Sequence, residues 1–248
     1  MLREPCYKGS AVDFTDEEYY ATISHTLAIE EFIIHHIEIM NRLNPDNSIG
    51  LIVDEWGCWY DVEPGTNPGF LYQQNTMRDA IVAACNLNIF NTHSDRVVMA
   101  NIAQAVNVLQ ALILTDGKKM LKTPTYHVFD LYKTHQDGEL VESFCENDIV
   151  GTDKDNVPAI SQSVSVKDDE LTITITNCSI NEEYEIECNI SDLEAHSVSS
   201  RILNADVRAY NDFDSTENVA PKAYDVKLDG EKLIVKLPKC SVVSVVVK

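Results

Sequence analysis

The sequence predicts an α/β region followed by an all-β region that forms an antiparallel sandwich. Residues 1–136 alternate helix patterns with short apolar strands, and from residue 137 onward a period-2 strand pattern takes over. Helix–strand alternation favours parallel strands joined by right-handed crossovers, whereas closely spaced short strands favour a sandwich. We therefore expect two domains, 1–136 and 137–248.

The first helix is marked at both ends. Thr15 and Glu18 have the spacing of a capping box, with Thr15 at the N-cap. An apolar stripe at helical spacing then runs as far as Met40, and Asn44-Pro45 ends the pattern. The residues predict one continuous helix between these signals.

The first strand of the α/β region is an uninterrupted apolar run. Ile49–Val53 has the length of a strand and is apolar on both faces, which favours a buried parallel sheet. It runs directly into Asp54, Glu55 and Trp56, and a loop rich in Pro and Gly follows over Gly57–Phe70. Glu55 therefore stands at the carboxyl end of a predicted parallel strand.

The remaining elements of this region are less evenly marked. A second helix is predicted over about Gln73–Phe90, and Arg96–Gln104 is the candidate second strand, with Val106–Leu114 as its competitor. Thr123 as N-cap and Pro124 at the first helical position predict a third helix that ends near Gln136. Two parallel strands alone cannot make a sheet that is buried on both faces.

The all-β region carries a strong hairpin signal at Asp229-Gly230. In its first predicted strand, Leu171–Thr176, apolar and polar residues alternate without exception. The predicted strands of this region are Leu171–Thr176, Tyr184–Ile190, Val198–Leu203, Ala223–Leu228, Lys232–Leu237 and Val242–Val247.

Composition restricts the class of partner. The 248 residues include 19 basic and 40 acidic side chains, a net charge of −21, which argues against binding to nucleic acid or to an anionic membrane surface. No apolar run is long enough to cross a membrane, and the first ten residues have no apolar signal-peptide core. Seven cysteines without a CxxC or zinc-knuckle spacing favour reduced thiols in a cytoplasmic protein.

Glu55 is the sharpest chemical candidate. In α/β barrels the carboxyl ends of the strands hold the catalytic residues, and Trp56, Trp59 and Tyr60 lie close by in sequence. Aromatic faces stack on the CH surface of sugars, so a carboxylate among them is typical of a carbohydrate-active site. The structural alternative, a capping or ion-paired carboxylate with core tryptophans, stays open at this point.

Other catalytic motifs are missing from the sequence. His35, His36, His127 and His135 lie on predicted helices without an HExxH pattern, so structural roles are favoured for them. No GxSxG elbow, P-loop or GxGxxG segment occurs, so the sequence gives no support to a serine hydrolase, an NTPase or a dinucleotide-binding enzyme.

A long collinear pattern resembles the α-L-arabinofuranosidases of glycoside hydrolase family 51. It comprises the strand segment 49–60, the Pro-Gly loop 63–75, the segment 95–109 and the helix start 123–129. A short segment before the first helix, 8–11, and more loosely the C-terminal β region extend it. The resemblance covers essentially the whole chain.

The resemblance implies a retaining glycosidase built on a (β/α)8 TIM barrel with a β-sandwich behind it. Residues 1–136 would supply the C-terminal part of the barrel, about strands seven and eight with their helices. Glu55 matches the nucleophile of the family at the end of strand seven. Gln104 matches a strand-eight residue that hydrogen-bonds the arabinose, and Trp59 matches an aromatic wall of the substrate cleft.

One expected carboxylate has no counterpart. Retaining glycosidases use a nucleophile and an acid/base, and the acid/base of this family is a Glu after an Asn at the end of strand four. The only Asn-Glu pair, Asn181-Glu182, lies in the β region. We therefore expect the isolated chain to be inactive, with the acid/base supplied by upstream residues or a partner chain.

The implied substrates are terminal α-L-arabinofuranosyl residues of arabinan- or arabinoxylan-type oligosaccharides. No metal or organic cofactor is needed for two-carboxylate hydrolysis, and the resemblance implies a homo-oligomer for a complete protein. Two alternatives stay open: a catalytically inactive fragment or a binding or assembly module, and a related retaining glycosidase of different specificity.

Overall fold

The computed structural model describes residues 9–190 and 196–248, so Cys6 and Lys8 lie outside the described residues. The α-helices are α1 (Asp16–Leu27), α2 (Ile29–Leu43), α3 (Met77–Thr92) and α4 (Pro124–Tyr132). Short 3-10 helices cover Pro68–Phe70 and Lys133–His135. None of the helices in the described residues is both long and apolar enough to span a bilayer.

Strands account for most of the rest of the described chain. In chain order they are β1 (Leu51–Trp56), β2 (Val97–Ile102), β3 (Ile113–Asp116), β4 (Lys119–Lys122), β5 (Glu139–Val141), β6 (Ile149–Gly151), β7 (Asn156–Pro158), β8 (Ile160–Lys167), β9 (Glu170–Asn177), β10 (Tyr184–Asn189), β11 (Val198–Asn204), β12 (Lys222–Ala223), β13 (Lys227–Asp229), β14 (Lys232–Leu237) and β15 (Ser241–Val247).

The predicted starts of the first and third helices are confirmed, the second helix covers Met77–Thr92 where about Gln73–Phe90 was predicted, and the first helix is not continuous. The Thr15 hydroxyl accepts from the Glu18 N–H, and the Glu18 carboxylate accepts from the Thr15 N–H at 2.7 Å. Thr123 likewise caps α4 by accepting from the Tyr126 N–H. The expected single helix breaks at Ala28 into α1 and α2. Neither Pro nor Gly stands there, so the sequence carries no signal for the break.

The two predicted parallel strands pair with each other. β1 and β2 form a two-stranded parallel sheet, and the competing segment 106–114 forms no strand of that sheet. As expected for two parallel strands alone, this sheet is not buried on both faces in the described chain. Ile52, Val98 and Met99 are about half exposed or more, and no further described strand pairs with either edge of the sheet.

The β region forms two facing antiparallel sheets. The larger has the order β12-β11-β15-β9-β8-β5, and the smaller has the order β10-β14-β13. The predicted hairpin at Asp229-Gly230 is confirmed by the pairing of Leu228 with Leu233. β8 was not predicted, although Ser163–Val166 alternates polar and apolar residues in the same way as the predicted strands.

The helices pack on the outer face of the larger sheet, and the smaller sheet covers its inner face. Alternate residues of β9 divide between these sides: Ile173 and Ile175 belong to the sandwich core, while Thr174 faces α3 and the segment after α4. A second hydrophobic cluster joins α1, α3, α4 and β1 to Leu203 and Val242 of the larger sheet. The domain division at 136/137 stays a prediction, and this cluster crosses it.

A buried polar network fastens the helices to the larger sheet. The Asn88 side-chain oxygen accepts hydrogen bonds from the hydroxyls of Tyr132, Ser163 and Thr174, all within 3.0 Å. The His135 ring lies between Ser165 at 2.7 Å and Thr174 at 3.0 Å. Because an unpaired polar group in this layer would be costly, the network specifies one packing of the helices on the sheet.

Arg96 fixes the start of β1 against the end of α2. Its guanidinium is buried and donates to the side chains of Asn41 and Asn44, to the Asn44 carbonyl and to the Ile49 carbonyl. The Leu51 N–H in turn donates to the Arg96 carbonyl. One side chain therefore sets where the parallel pair begins.

We predict that Arg96→Met lowers the free energy of unfolding by at least about 2 kcal/mol, because the five hydrogen bonds of the buried guanidinium are lost. Arg42→Met is the matched control, because it removes an exposed arginine from α2, the helix whose end Arg96 contacts. It should change stability by less than about 0.5 kcal/mol. Urea unfolding measures both variants. Equal losses would contradict a structural role for the Arg96 network.

The burial of two histidines predicts a loss of stability in mild acid. Burial lowers the pKa of His127 and of His135 from 6.5 to about 4. Between these values the unfolded chain binds more protons than the folded chain, so the free energy of unfolding falls as pH decreases from 6.5 towards 4. For His135 the loss is at most about 3 kcal/mol.

His135→Gln should flatten this dependence, since an amide can hydrogen-bond both hydroxyls and does not titrate. His35→Gln, at an exposed histidine, is the control and should leave the slope unchanged. The measurement is urea unfolding at a series of pH values. A slope in His135→Gln equal to that of the unaltered chain would exclude His135 as the titrating group.

Candidate active site

The candidate site lies at the carboxyl edge of the β1–β2 pair. Because the strands are parallel, the residues that follow both of them meet at one edge. Glu55 is the next-to-last residue of β1 and is exposed, and Gln104, also exposed, follows β2 by two positions. The structure therefore brings these two predicted site residues to the same edge.

A β-bulge shapes the strand at Glu55. Val53 pairs with Ala100 and Trp56 pairs with Ile102, so three residue steps on β1 match two on β2. Asp54 and Glu55 occupy the irregular stretch. Bulges re-aim side chains and are common beside active sites. Among the described residues none donates a hydrogen bond to the Glu55 carboxylate or forms an ion pair with it, so the capping and ion-pair alternatives have no support here.

The segment that follows β2 is hydrogen-bonded to the end of β1. The Ala103 N–H donates to the Trp56 carbonyl at 2.9 Å, and the Ala103–Gln104 peptide bond is cis. The Gln104 N–H donates to the Val108 carbonyl. The backbone at Gln104 is therefore held by hydrogen bonds to the end of β1, through Ala103, and to Val108.

The aromatic residues next to Glu55 do not all face the site. Trp56 is only 5% exposed, stacks on Phe129 with ring centroids 5.9 Å apart and meets Phe90 edge-on. Tyr60 is buried as well. Trp59 is 44% exposed. The expected cluster of accessible rings is therefore wrong for Trp56 and Tyr60, which are core residues, and of the three only Trp59 is exposed.

Arg78 and Asp79 at the start of α3 are buried, and Arg78 contacts Tyr60 in the loop that follows β1. The Arg78 guanidinium lies between the rings of Phe14 and Tyr60, at 3.7 and 3.9 Å from their centroids. Burial raises the pKa of Asp79 to about 6, although Arg78 and hydrogen bonds from Thr76 oppose the shift. Sequence reasoning missed both residues. The capping-box spacing of Thr76 and Asp79 could have marked Asp79, whereas the contacts of Arg78 with Phe14 and Tyr60 leave no local signal.

Family comparison agrees with the fold. Residues 54–241 match the model of the family described as the alpha-L-arabinofuranosidase C-terminal domain. This chain belongs to that family. Glu55, Trp59 and Gln104 all lie within the matched residues, and their individual roles stay predictions.

Individual relatives extend the likeness over nearly the whole chain. An intracellular exo-alpha-L-arabinofuranosidase of Bacteroides ovatus is 43% identical over 242 residues, which are 96% of this chain and 47% of that protein. The crystal structure of the glycoside hydrolase family 51 arabinofuranosidase from Xanthomonas axonopodis pv. citri matches with a TM-score of 0.95 and 40% identity. That match covers 98% of this chain and 50% of the other.

A more distant structure shares the fold alone. The alpha-L-arabinofuranosidase from Thermotoga maritima, in its arabinose complex, matches with a TM-score of 0.80 at 21% identity, over 97% of this chain and 51% of that chain. This chain therefore spans about half the length of these relatives.

Gly57, between the strand end and the loop, yields a stability prediction. Its φ of +127° is one that L side chains rarely adopt, and a Cβ there would lie 3.1 Å from the Gln110 side-chain oxygen. Gly57→Ala should lower the free energy of unfolding by about 1 to 3 kcal/mol. Gly65→Ala, also at positive φ but in open space, is the control and should lose less in urea unfolding. Equal losses would contradict the close contact.

Proposed function

We propose that this chain supplies the nucleophile of a retaining α-L-arabinofuranosidase, with Glu55 as that nucleophile. The observation that carries the proposal is the exposed Glu55 carboxylate in a bulge at the carboxyl edge of a parallel pair, in a chain of the arabinofuranosidase C-terminal family. The edge of parallel strands is where barrel enzymes place catalytic side chains.

In this proposal the Glu55 carboxylate attacks the anomeric carbon as the bond to the leaving oxygen breaks. The product is a glycosyl ester of Glu55, and water then hydrolyses the ester with retention of configuration. Protonation of the leaving oxygen and activation of the water require a second carboxyl group. We assign that group to residues outside these 248 or to a partner chain.

Gln104 and Trp59 are the proposed substrate-binding residues. The Gln104 amide, exposed beside the end of β1, would donate to and accept from the sugar hydroxyls. The exposed part of the Trp59 ring would contact the CH surface of the furanose ring. The two side chains would hold the sugar from two sides while Glu55 attacks.

The proposed substrates are oligosaccharides of arabinan or arabinoxylan type with terminal α-L-arabinofuranosyl residues. The exo-acting Bacteroides ovatus relative supports the terminal position, and its name as an intracellular enzyme supports a cytoplasmic location for this chain. No metal or organic cofactor takes part in the proposed reaction. The assembled enzyme is proposed to be a homo-oligomer.

The uncovered face of the β1–β2 sheet is the proposed junction with the rest of a barrel. Ile52, Val98 and Met99 expose apolar surface there, and Phe32 and Leu43 do so on α2. Exposed apolar side chains grouped on one sheet and its neighbouring helix favour burial against further elements. Further barrel strands would cover them and bring the second carboxyl group.

We predict a burst with an activated substrate. A dinitrophenyl α-L-arabinofuranoside has a leaving group that needs no proton, so the 248-residue chain should form the glycosyl ester without an acid/base. Stopped-flow absorbance should show release of about one dinitrophenolate per chain, followed by slow turnover. Mass spectrometry should locate the added arabinosyl group on Glu55.

Glu55→Gln should slow this burst at least about a thousandfold, because an amide is a poor nucleophile. Asp54→Asn, at the neighbouring exposed carboxylate, is the matched control and should keep the burst. A burst that survives in Glu55→Gln would contradict the nucleophile assignment. No burst with any furanoside would favour a binding or assembly module, and a burst with a different glycoside would favour a related retaining glycosidase.

A further inference from the structure

Two buried glutamines hold the backbone on either side of Trp59. Gln73 is 1% exposed and Gln110 is fully buried, yet Trp59 between their contacts is 44% exposed. A half-exposed ring on a loop is mobile unless its backbone is fastened. Side-chain amides bind the backbone of both neighbours of Trp59, outside any regular strand pairing.

Gln110 fastens the residue before Trp59. Its Oε1 accepts a hydrogen bond from the Cys58 N–H at 2.8 Å, and its Nε2 donates to the Asp79 carbonyl at 2.8 Å. Asp79 lies in the first turn of α3. Gln110 therefore connects the Trp59 loop to the most buried helix in the described part of the chain.

Gln73 fastens both neighbours of Trp59 at once. Its Oε1 accepts from the Tyr60 N–H at 2.7 Å, and its Nε2 donates to the Cys58 carbonyl at 3.2 Å. The Tyr60 ring is in addition held against the Arg78 guanidinium. The peptide groups before and after Trp59 thus both bond to buried partners.

We propose that Gln73 and Gln110 are positioning residues that orient Trp59 as the wall of the sugar cleft. The inference rests on the proposed function for the role of Trp59, and on hydrogen-bond geometry for the orientation. A backbone fixed on both sides limits how far Trp59 can move, so less conformational entropy is lost when a sugar binds the ring. Neither glutamine touches the substrate in this proposal.

A third glutamine in the same segment provides a matched control. Gln74 is also buried, but its amide donates to the Asn211 carbonyl and accepts from the Asn75 N–H. It makes no hydrogen bond to residues 58–60 among those described. Gln74→Met therefore removes a buried amide from the same stretch of chain without releasing Trp59.

The experiment uses fluorine NMR of the 248-residue chain labelled with fluorotryptophan. The chain has two tryptophans, so two resonances are expected, and Trp59→Phe assigns them. Gln110→Met and Gln73→Met should each shift or broaden the Trp59 resonance and leave the Trp56 resonance in place. Gln74→Met should move neither. Gln110→Glu keeps an acceptor for the Cys58 N–H but loses the donor to the Asp79 carbonyl, so it should displace the Trp59 resonance less than Gln110→Met does.

A titration with an arabinan-derived trisaccharide separates this inference from the proposed function. In the unaltered chain the sugar should shift the Trp59 resonance, and the two Met variants should need about tenfold more sugar, a loss of about 1.4 kcal/mol. If the sugar moves no resonance but the Met variants still displace that of Trp59, the orienting role stands and the proposed substrate fails. An unchanged Trp59 resonance in either folded Met variant overturns the positioning role.

Discussion

The burial of α3 on all sides is the constraint on which the rest of the structure depends. Thirteen of its sixteen residues are buried, and it packs against α1, α4, β2 and the larger sheet of the sandwich. A helix in such surroundings cannot shift without opening several interfaces at once. The small residues Ala80, Ala83 and Ala84 let neighbouring elements approach closely. The position of the β1–β2 edge therefore follows from where the sandwich holds α3.

Polar residues on α3 determine how it is oriented within this core. Near its carboxyl end Asn88 bonds to hydroxyls of the sheet, and at its amino end Asp79 receives the Gln110 amide that also holds the Trp59 loop. Each contact is specific in direction, whereas apolar burial alone would allow the helix to rotate or slide. The sandwich thus has a role in the site although its residues lie outside it.

Local signals in the sequence predict much of the fold, and distant contacts account for what they miss. Thr15 with Glu18, Thr123 with Pro124 and the turn after Leu228 were predicted because each depends on residues within a few positions. The break at Ala28 and the burial of Thr174 were not, because packing decides them. An alternating strand reads as half exposed, yet helices cover the threonine face of β9.

The same distinction applies to the site. Glu55 and Gln104 could be placed at one edge from the strand ends alone. Spacing in the sequence could not show that Trp56 is buried in the core and Trp59 is exposed. Phe90 and Phe129, far along the chain, cover one ring, and buried amides fix the backbone of the other. Retaining hydrolysis also requires a second carboxyl group about 5 Å from the nucleophile. In the proposed enzyme that distance would depend on how further strands pack on the uncovered face of β1 and β2, so the apolar surface there and the catalytic geometry would be set by one interface.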